Sequence, residues 1–168
     1  MTDEIPEDAA DAFAASEVCE PAPEGYVITT STFTARVSAD EGSEEWTTAY
    51  TVEIRVPTLD AATADEIPAV VATDWVETFE RRLERAPAAT RASVDLTAFA
   101  VEQAGDEVRI EYGFEWGTPE KAVEIARTFA EYVEGTYVEG IVPGYEYEPP
   151  VSTLLASASQ SGESGTPL

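Results

Sequence analysis

Carboxylates are almost the only side chains in this sequence that can carry acid–base or metal chemistry. The chain has 34 aspartates and glutamates, one cysteine and no histidine, and histidine is the commonest general base and transition-metal ligand. Its absence excludes Ser-His-Asp triads and Cys-His pairs. Serine–lysine catalysis would depend on Lys121, the single lysine, which falls in the first turn of a predicted helix. The glycines match neither a dinucleotide-binding fingerprint nor a phosphate-binding loop.

Two pairs of glutamates invite comparison with catalytic carboxylate pairs. Glu111 and Glu115 are four residues apart on one predicted strand, about 13 Å along it, which is too far for glycosidase chemistry. Glu53 and Glu111 can face each other across a sheet, but a solvated polar face accounts for both. Cys19 lies among acidic residues, which raise a thiol pKa and reduce its reactivity. We therefore expect no catalytic residue, no cofactor and no metal site.

A set of charged residues that alternates with apolar ones is the candidate interaction surface. A third of the basic residues and two glutamates fall on the outward positions of predicted strands: Arg36, Glu53, Arg55, Arg109 and Glu111. One interpretation is cross-strand charge pairing, with each pair contributing a few tenths of a kcal/mol. The other is an uncovered sheet face that pairs with a second copy or with another protein.

Aromatic residues raise the alternative of a small-molecule site. Most of them fall on positions that the strand and helix periods turn toward the core. Trp46 and Trp116 lie at predicted strand ends, where the mouth of a pocket between the helix layer and the sheet would be. They are the candidate pocket residues of a small-molecule-binding protein or enzyme.

Hydrophobic periodicity predicts the elements that position these residues. Segments with β-branched or alternating residues predict four strands, at residues 26–37, 46–56, 94–101 and 108–116. Segments with helical spacing predict three helices, at residues 6–16, 65–86 and 118–135. Asp65 is the predicted cap of the second helix, and Gly135 is the predicted end of the third.

This order, α-ββ-α-ββ-α, predicts an α+β two-layer sandwich in which a four-stranded antiparallel sheet carries helices on one face. The predicted organisation is a short N-terminal helix and linker (1–24), the α+β domain (25–142) and a flexible acidic Ser-Gly tail (143–168), with disorder beyond about Ser157.

The charge balance predicts a surface adapted to concentrated salt. The net charge is −25 while the apolar content is an ordinary 43%, so disorder is a poor explanation for the acidity. Self-repulsion on this scale is largely screened at about 1 M salt, where the Debye length is near 3 Å. Eight of the nine basic residues are arginine, whose guanidinium is less strongly hydrated than the lysine ammonium.

The acidic composition, the strand at 46–56 and the helix start Thr118-Pro119-Glu120 together resemble small haloarchaeal protein families of unknown function. The resemblance implies a lineage and carries no activity. The predicted element order is also similar to the small chaperones of type III secretion, which dimerise and hold extended client segments. That similarity is architectural.

The expected function is therefore a non-catalytic protein-interaction or self-associating, chaperone-like module. Its expected partner is another protein or a second copy. A nucleic-acid partner is not expected because the acidic surface repels phosphates. No apolar stretch reaches the ~18–20 residues of a membrane span, and the first residues lack a secretory signal, so we expect a cytoplasmic location.

Overall fold

The computed structural model describes residues 6–23 and 25–164, with side chains described as far as residue 158. The predicted disorder beyond Ser157 thus falls in part on residues 165–168, which lie outside the described residues. The helices are α1 (Glu7–Ala15), α2 (Leu59–Ala62), α3 (Ala69–Leu83), α4 (Pro119–Glu139) and α5 (Val151–Ser164), with a 3-10 turn at Ala86–Ala89. The strands are β1 (Cys19–Ala22), β2 (Gly25–Ile28), β3 (Thr34–Glu41), β4 (Thr48–Pro57), β5 (Leu96–Ala104) and β6 (Glu107–Trp116).

The strands form one antiparallel sheet in the order β1-β2-β3-β4-β6-β5. Its three central strands, β3, β4 and β6, alternate between buried and exposed positions because successive side chains point to opposite faces. The buried face carries the apolar residues of these strands: Ala35, Val37, Tyr50, Val52, Ile54, Val56, Val108, Ile110, Tyr112 and Phe114.

The long helices cover that apolar face. Helix α4 packs directly on β4 and β6, and it also contacts α1 and α3. Phe129 of α4 lies 4.9 Å, ring centroid to ring centroid, from Tyr112 of β6. Phe13 of α1 is 1% exposed and stacks on Tyr26. The α+β class and the helix layer over one side of an antiparallel sheet agree with the sequence prediction.

The predicted four-stranded sheet is wrong, because the described part of the chain forms a sheet of six strands. The segment predicted as one strand at 26–37 forms two strands, separated by a turn at residues 29–33. Strand β1 lies in the segment that was predicted as a linker. Pro21 is accommodated because β1 is an edge strand, and proline without its N–H is tolerated there. The likeness to secretion chaperones depended on the α-ββ-α-ββ-α order, which is not the order of the structure.

Two predicted helix boundaries are also wrong. Asp65 does not cap α3, because α3 begins only after Pro68. The residue before this proline is disfavoured in the α conformation, so the helix does not extend back to residue 65. The Asp65 carboxylate instead accepts a 2.6 Å hydrogen bond from the backbone N–H of Glu146. Helix α4 continues past Gly135 to Glu139, because the next turn buries Tyr137, whose hydroxyl donates to the Pro57 carbonyl.

The segment predicted as a flexible tail contains α5 and contacts the rest of the domain. Val151 is fully buried, and Leu154 and Leu155 pack against the core. The chain is attached just before this helix by a β-bridge between Thr63 and Tyr147. The apolar residues at 151, 154 and 155 are spaced as one face of a helix, which is the local reason why this segment packs. Among the described helices, none combines the length and the apolar content needed to cross a membrane.

The interior position of Gly135 in α4 supports a stability prediction. A Cβ at Gly135 would meet no atom within 4 Å, and glycine inside an exposed helix costs about 1 kcal/mol relative to alanine. We expect Gly135→Ala to raise the free energy of unfolding by about 0.5–1 kcal/mol, measured by urea denaturation. Gly105→Ala is the contrasting control, because Gly105 has φ +62° and alanine is strained there by about 1–2 kcal/mol. Destabilisation by Gly135→Ala would contradict the helical assignment.

Candidate functional site

The sheet face opposite the helices carries all five predicted interaction residues. We call the set Arg36, Glu53, Arg55, Arg109 and Glu111 the charged face. They lie on β3, β4 and β6 with their side chains on one side, and each is exposed or half-exposed. No described helix packs over them, because the helix layer lies on the opposite, apolar side. The structure therefore brings the predicted residues together on one open surface.

The register of β4 and β6 sorts the central charges into two rows. Glu53 lies directly opposite Glu111, and Arg55 lies directly opposite Arg109. We call the first pair the glutamate row and the second pair the arginine row. The rows are two residues apart along each strand, about 7 Å. Arg36 of β3 extends the glutamate row because it lies opposite Glu53. Like charges directly opposite each other destabilise a sheet.

One ion pair of this surface joins two residues of β4, and another joins β6 to the neighbouring strand β5. Arg55 Nε lies 3.1 Å from Glu53 Oε1 on the same strand. Arg109 Nη2 lies 2.9 Å from Glu102 Oε2 of β5. The hydrogen bond and the charge of Glu102, with smaller contributions from Glu53 and Glu111, raise the pKa of Arg109 above its ordinary value. Cross-strand pairing thus explains the contact of Arg109 with Glu102, which lie opposite each other. It does not explain the β4–β6 arrangement, where like charges face each other.

The surface around the charged face is nearly flat, and its depression is small. A shallow depression of about 290 Å³ lies over the face and against the β1–β2 hairpin, and its lining includes Arg36, Thr51 and Glu53. The next row on the same face contains Ser38, Thr51 and Gly113. A Cβ at Gly113 would lie 3.0 Å from the Ala98 Cβ, so glycine lets β5 and its bulge approach β6 closely. This geometry leaves the charged side chains as the main projections of the surface.

The predicted pocket residues, Trp46 and Trp116, lie near the C-terminal end of β6. Trp46 is in the turn before β4, where its ring packs over the backbone of Gly117 and is 71% exposed. Trp116 is half-buried against the core. The strand predicted at 46–56 begins only at Thr48, so Trp46 lies outside it. The space between the sheet and the helices near this end is filled by stacked rings, including Tyr50 on Phe114.

The remaining chemically capable residues have structural surroundings. The thiol of Cys19 is buried, and burial raises its pKa, which disfavours the reactive thiolate. Lys121 Nζ lies 3.7 Å from the Glu124 carboxylate in an exposed pair on α4. Within residues 6–23 and 25–164, no group of three potential metal-ligating side chains is close enough to hold an ion.

Two carboxylates that organise the edges of this surface were not among the predicted interaction residues. Glu102 is the partner of Arg109. Glu115 accepts hydrogen bonds from the Ser43 N–H, the Ser43 hydroxyl and the Thr47 hydroxyl, which lower its pKa. It thereby ties the acidic β3–β4 turn to β6. The only available signal was its alternation with buried residues, which it shares with every outward residue of the strand.

The comparisons place the chain in a family without assigning it an activity. A family model described as a family of unknown function matches residues 8–157, which include the whole sheet and α4. No curated protein and no solved structure matches the chain.

Proposed function

We propose that this chain, which belongs to DUF5813, a family of unknown function, is a non-catalytic protein-interaction module. It contacts its partner through the charged face. Open antiparallel sheets usually carry a polar outer face that is simply solvated. This face differs because its central charges are arranged like against like. That arrangement is the observation that supports the proposal.

The electrostatic free energy of the charged face differs between the free and the bound chain. In the free chain, the glutamate row and the arginine row each place two equal charges directly opposite each other, which is unfavourable. A partner with the reverse pattern would meet each row with the opposite charge. Charge patterns of this kind determine specificity and orientation at protein interfaces. The cost in the free chain is then offset when the partner binds.

We further infer that the module works in a cytoplasm of high salt concentration, as in haloarchaea. At most nine of the 34 acidic side chains can each have a basic partner of its own. The ion pairs among the described residues are solvent-exposed, so each contributes little. A surface of this kind is favoured where ions screen its repulsion.

Site-specific photo-crosslinking tests the proposed contact surface. A benzophenone amino acid at Ser38, an exposed position beside the glutamate row, would be irradiated in a cell extract at about 1 M KCl. The matched control carries the same group at Thr73, which is exposed on α3. We expect discrete protein adducts from position 38 and none of comparable yield from position 73. Equal yields from both positions, or none from position 38, would remove the proposal.

A further inference from the structure

We infer that the partner of the charged face is a second copy of this chain. This inference rests on the proposed function and specifies its partner. It depends on the geometry of the two rows, because a surface with one negative row beside one positive row is its own complement under a two-fold rotation. Symmetric dimers use such self-complementary patches, in which each residue of one copy meets the matching partner residue of the other.

The rotation can be followed residue by residue. Let two copies stack their charged faces, with the two-fold axis parallel to the rows and midway between them. Rotation about this axis places the glutamate row of one copy over the arginine row of the other, while each strand stays over its own counterpart. Glu53 then faces Arg55 of the second copy, and Glu111 faces Arg109. These two contacts occur twice, which gives four opposite-charge contacts next to the axis.

Strands β3 and β5, which flank β4 and β6, add no like-charge contact to this arrangement. On β3, Arg36 faces Thr34 of the second copy, because Thr34 lies opposite Arg55 and so belongs to the arginine row. On β5, Glu102 faces Ala100, because Ala100 lies opposite Glu111 in the glutamate row. Arg36 and Glu102 thus meet uncharged residues.

The shape of the face permits the contact. Stacked sheets lie about 10 Å apart with their strands within about 30° of alignment. The row that contains Ser38, Thr51 and Gly113 has short side chains, so it does not hold the two faces apart. The four central charges lie nearest the axis, where the twist of the sheets displaces facing residues least. Long arginine and glutamate side chains can span the gap there.

Reciprocal charge-swapped variants test this dimer. Glu53→Arg/Glu111→Arg makes both rows positive, and Arg55→Glu/Arg109→Glu makes both rows negative. Sedimentation equilibrium at about 1 M KCl should give the wild type a mass approaching twice the 18.1 kDa of one chain. Each variant alone should dissociate at least about a hundredfold more readily, since like charges brought together at an interface cost several kcal/mol. An equimolar mixture should regain the dimer.

The mixture separates an interface effect from misfolding, because a variant that does not fold cannot restore association with the other. A wild type that stays monomeric at every concentration overturns the inference, and so does a mixture that stays monomeric while both variants retain native circular dichroism. Failure of the dimer is distinguishable from failure of the proposed function. A monomeric wild type with position-38 adducts of another mass removes the dimer alone, whereas the absence of specific adducts removes both.

Discussion

Phe129→Ala should lower the free energy of unfolding by about 3–5 kcal/mol, which is the usual loss for truncation of a buried phenylalanine. Phe129 is fully buried on α4. Its ring lies 4.9 Å from Tyr112 and 5.6 Å from Phe114, centroid to centroid. It thus packs against two aromatic rings of β6, and its removal leaves a cavity in the core. Urea denaturation at about 1 M KCl measures the loss.

Val70→Ala is the matched control for this experiment. Val70 lies on α3 and is 68% exposed, so its truncation should change the free energy of unfolding by at most about 0.5 kcal/mol. A loss at Phe129 no larger than the loss at Val70 would contradict the packing of α4 on the sheet.

The melting temperature should rise steeply between dilute buffer and molar KCl. The net charge of −25 repels itself over a Debye length of about 30 Å at 0.01 M salt and about 3 Å at 1 M. If screening stabilises the fold by about 3 kcal/mol, a chain of this size gains about 6–12 °C. Differential scanning calorimetry across a KCl series measures this change, and a flat response would contradict the salt adaptation.

A variant with fewer charges provides the control for the salt series. Glu77, Glu80 and Glu84 lie exposed on α3 or at its end. Replacing all three with glutamine removes three negative charges without touching the core. The salt-dependent rise should become smaller, because less repulsion remains to be screened. An unchanged rise would mean that KCl acts through something other than the carboxylates.

The centre of the sheet was predictable because its pattern is strong. Strict alternation at residues 46–56 and 108–116 indicated two strands with one buried face, and both are present as β4 and β6. The same period of two placed the residues of the charged face on one side. Helix α4 was predictable at its start, where Thr118 is the N-cap and Pro119 the first residue.

The edges of the fold were not predictable from local signals. Strand β1 has four residues and contains Pro21, so its strand character depends on pairing with β2. Gly135 is a residue type that is common at helix ends. Helix α4 nevertheless continues, because Tyr137 is buried in the next turn. In both cases tertiary contacts outweigh local propensity.

The sequence indicated that Glu53 and Glu111 could face each other across a sheet, but it did not determine the register of the charged face. Period alone places Glu53 and Glu111 on the same face, but it does not determine which residues lie opposite each other. That depends on the pairing of β4 with β6, which are separated in the chain by α2, α3 and β5. Only the register reveals that like charges face each other, and this observation turns a common polar surface into a candidate interface.

Carboxylate labelling of the wild-type chain tests the central claim most directly. Glu53 and Glu111 would be modified with a carbodiimide and an amine, in dilute purified protein and in a cell extract, both at about 1 M KCl. Mass spectrometry of peptides would report the rates, with Glu77 of α3 as the internal reference. A contact surface predicts slower labelling of Glu53 and Glu111 in the extract, with Glu77 unchanged. Equal rates in the two samples would contradict an interaction through this face.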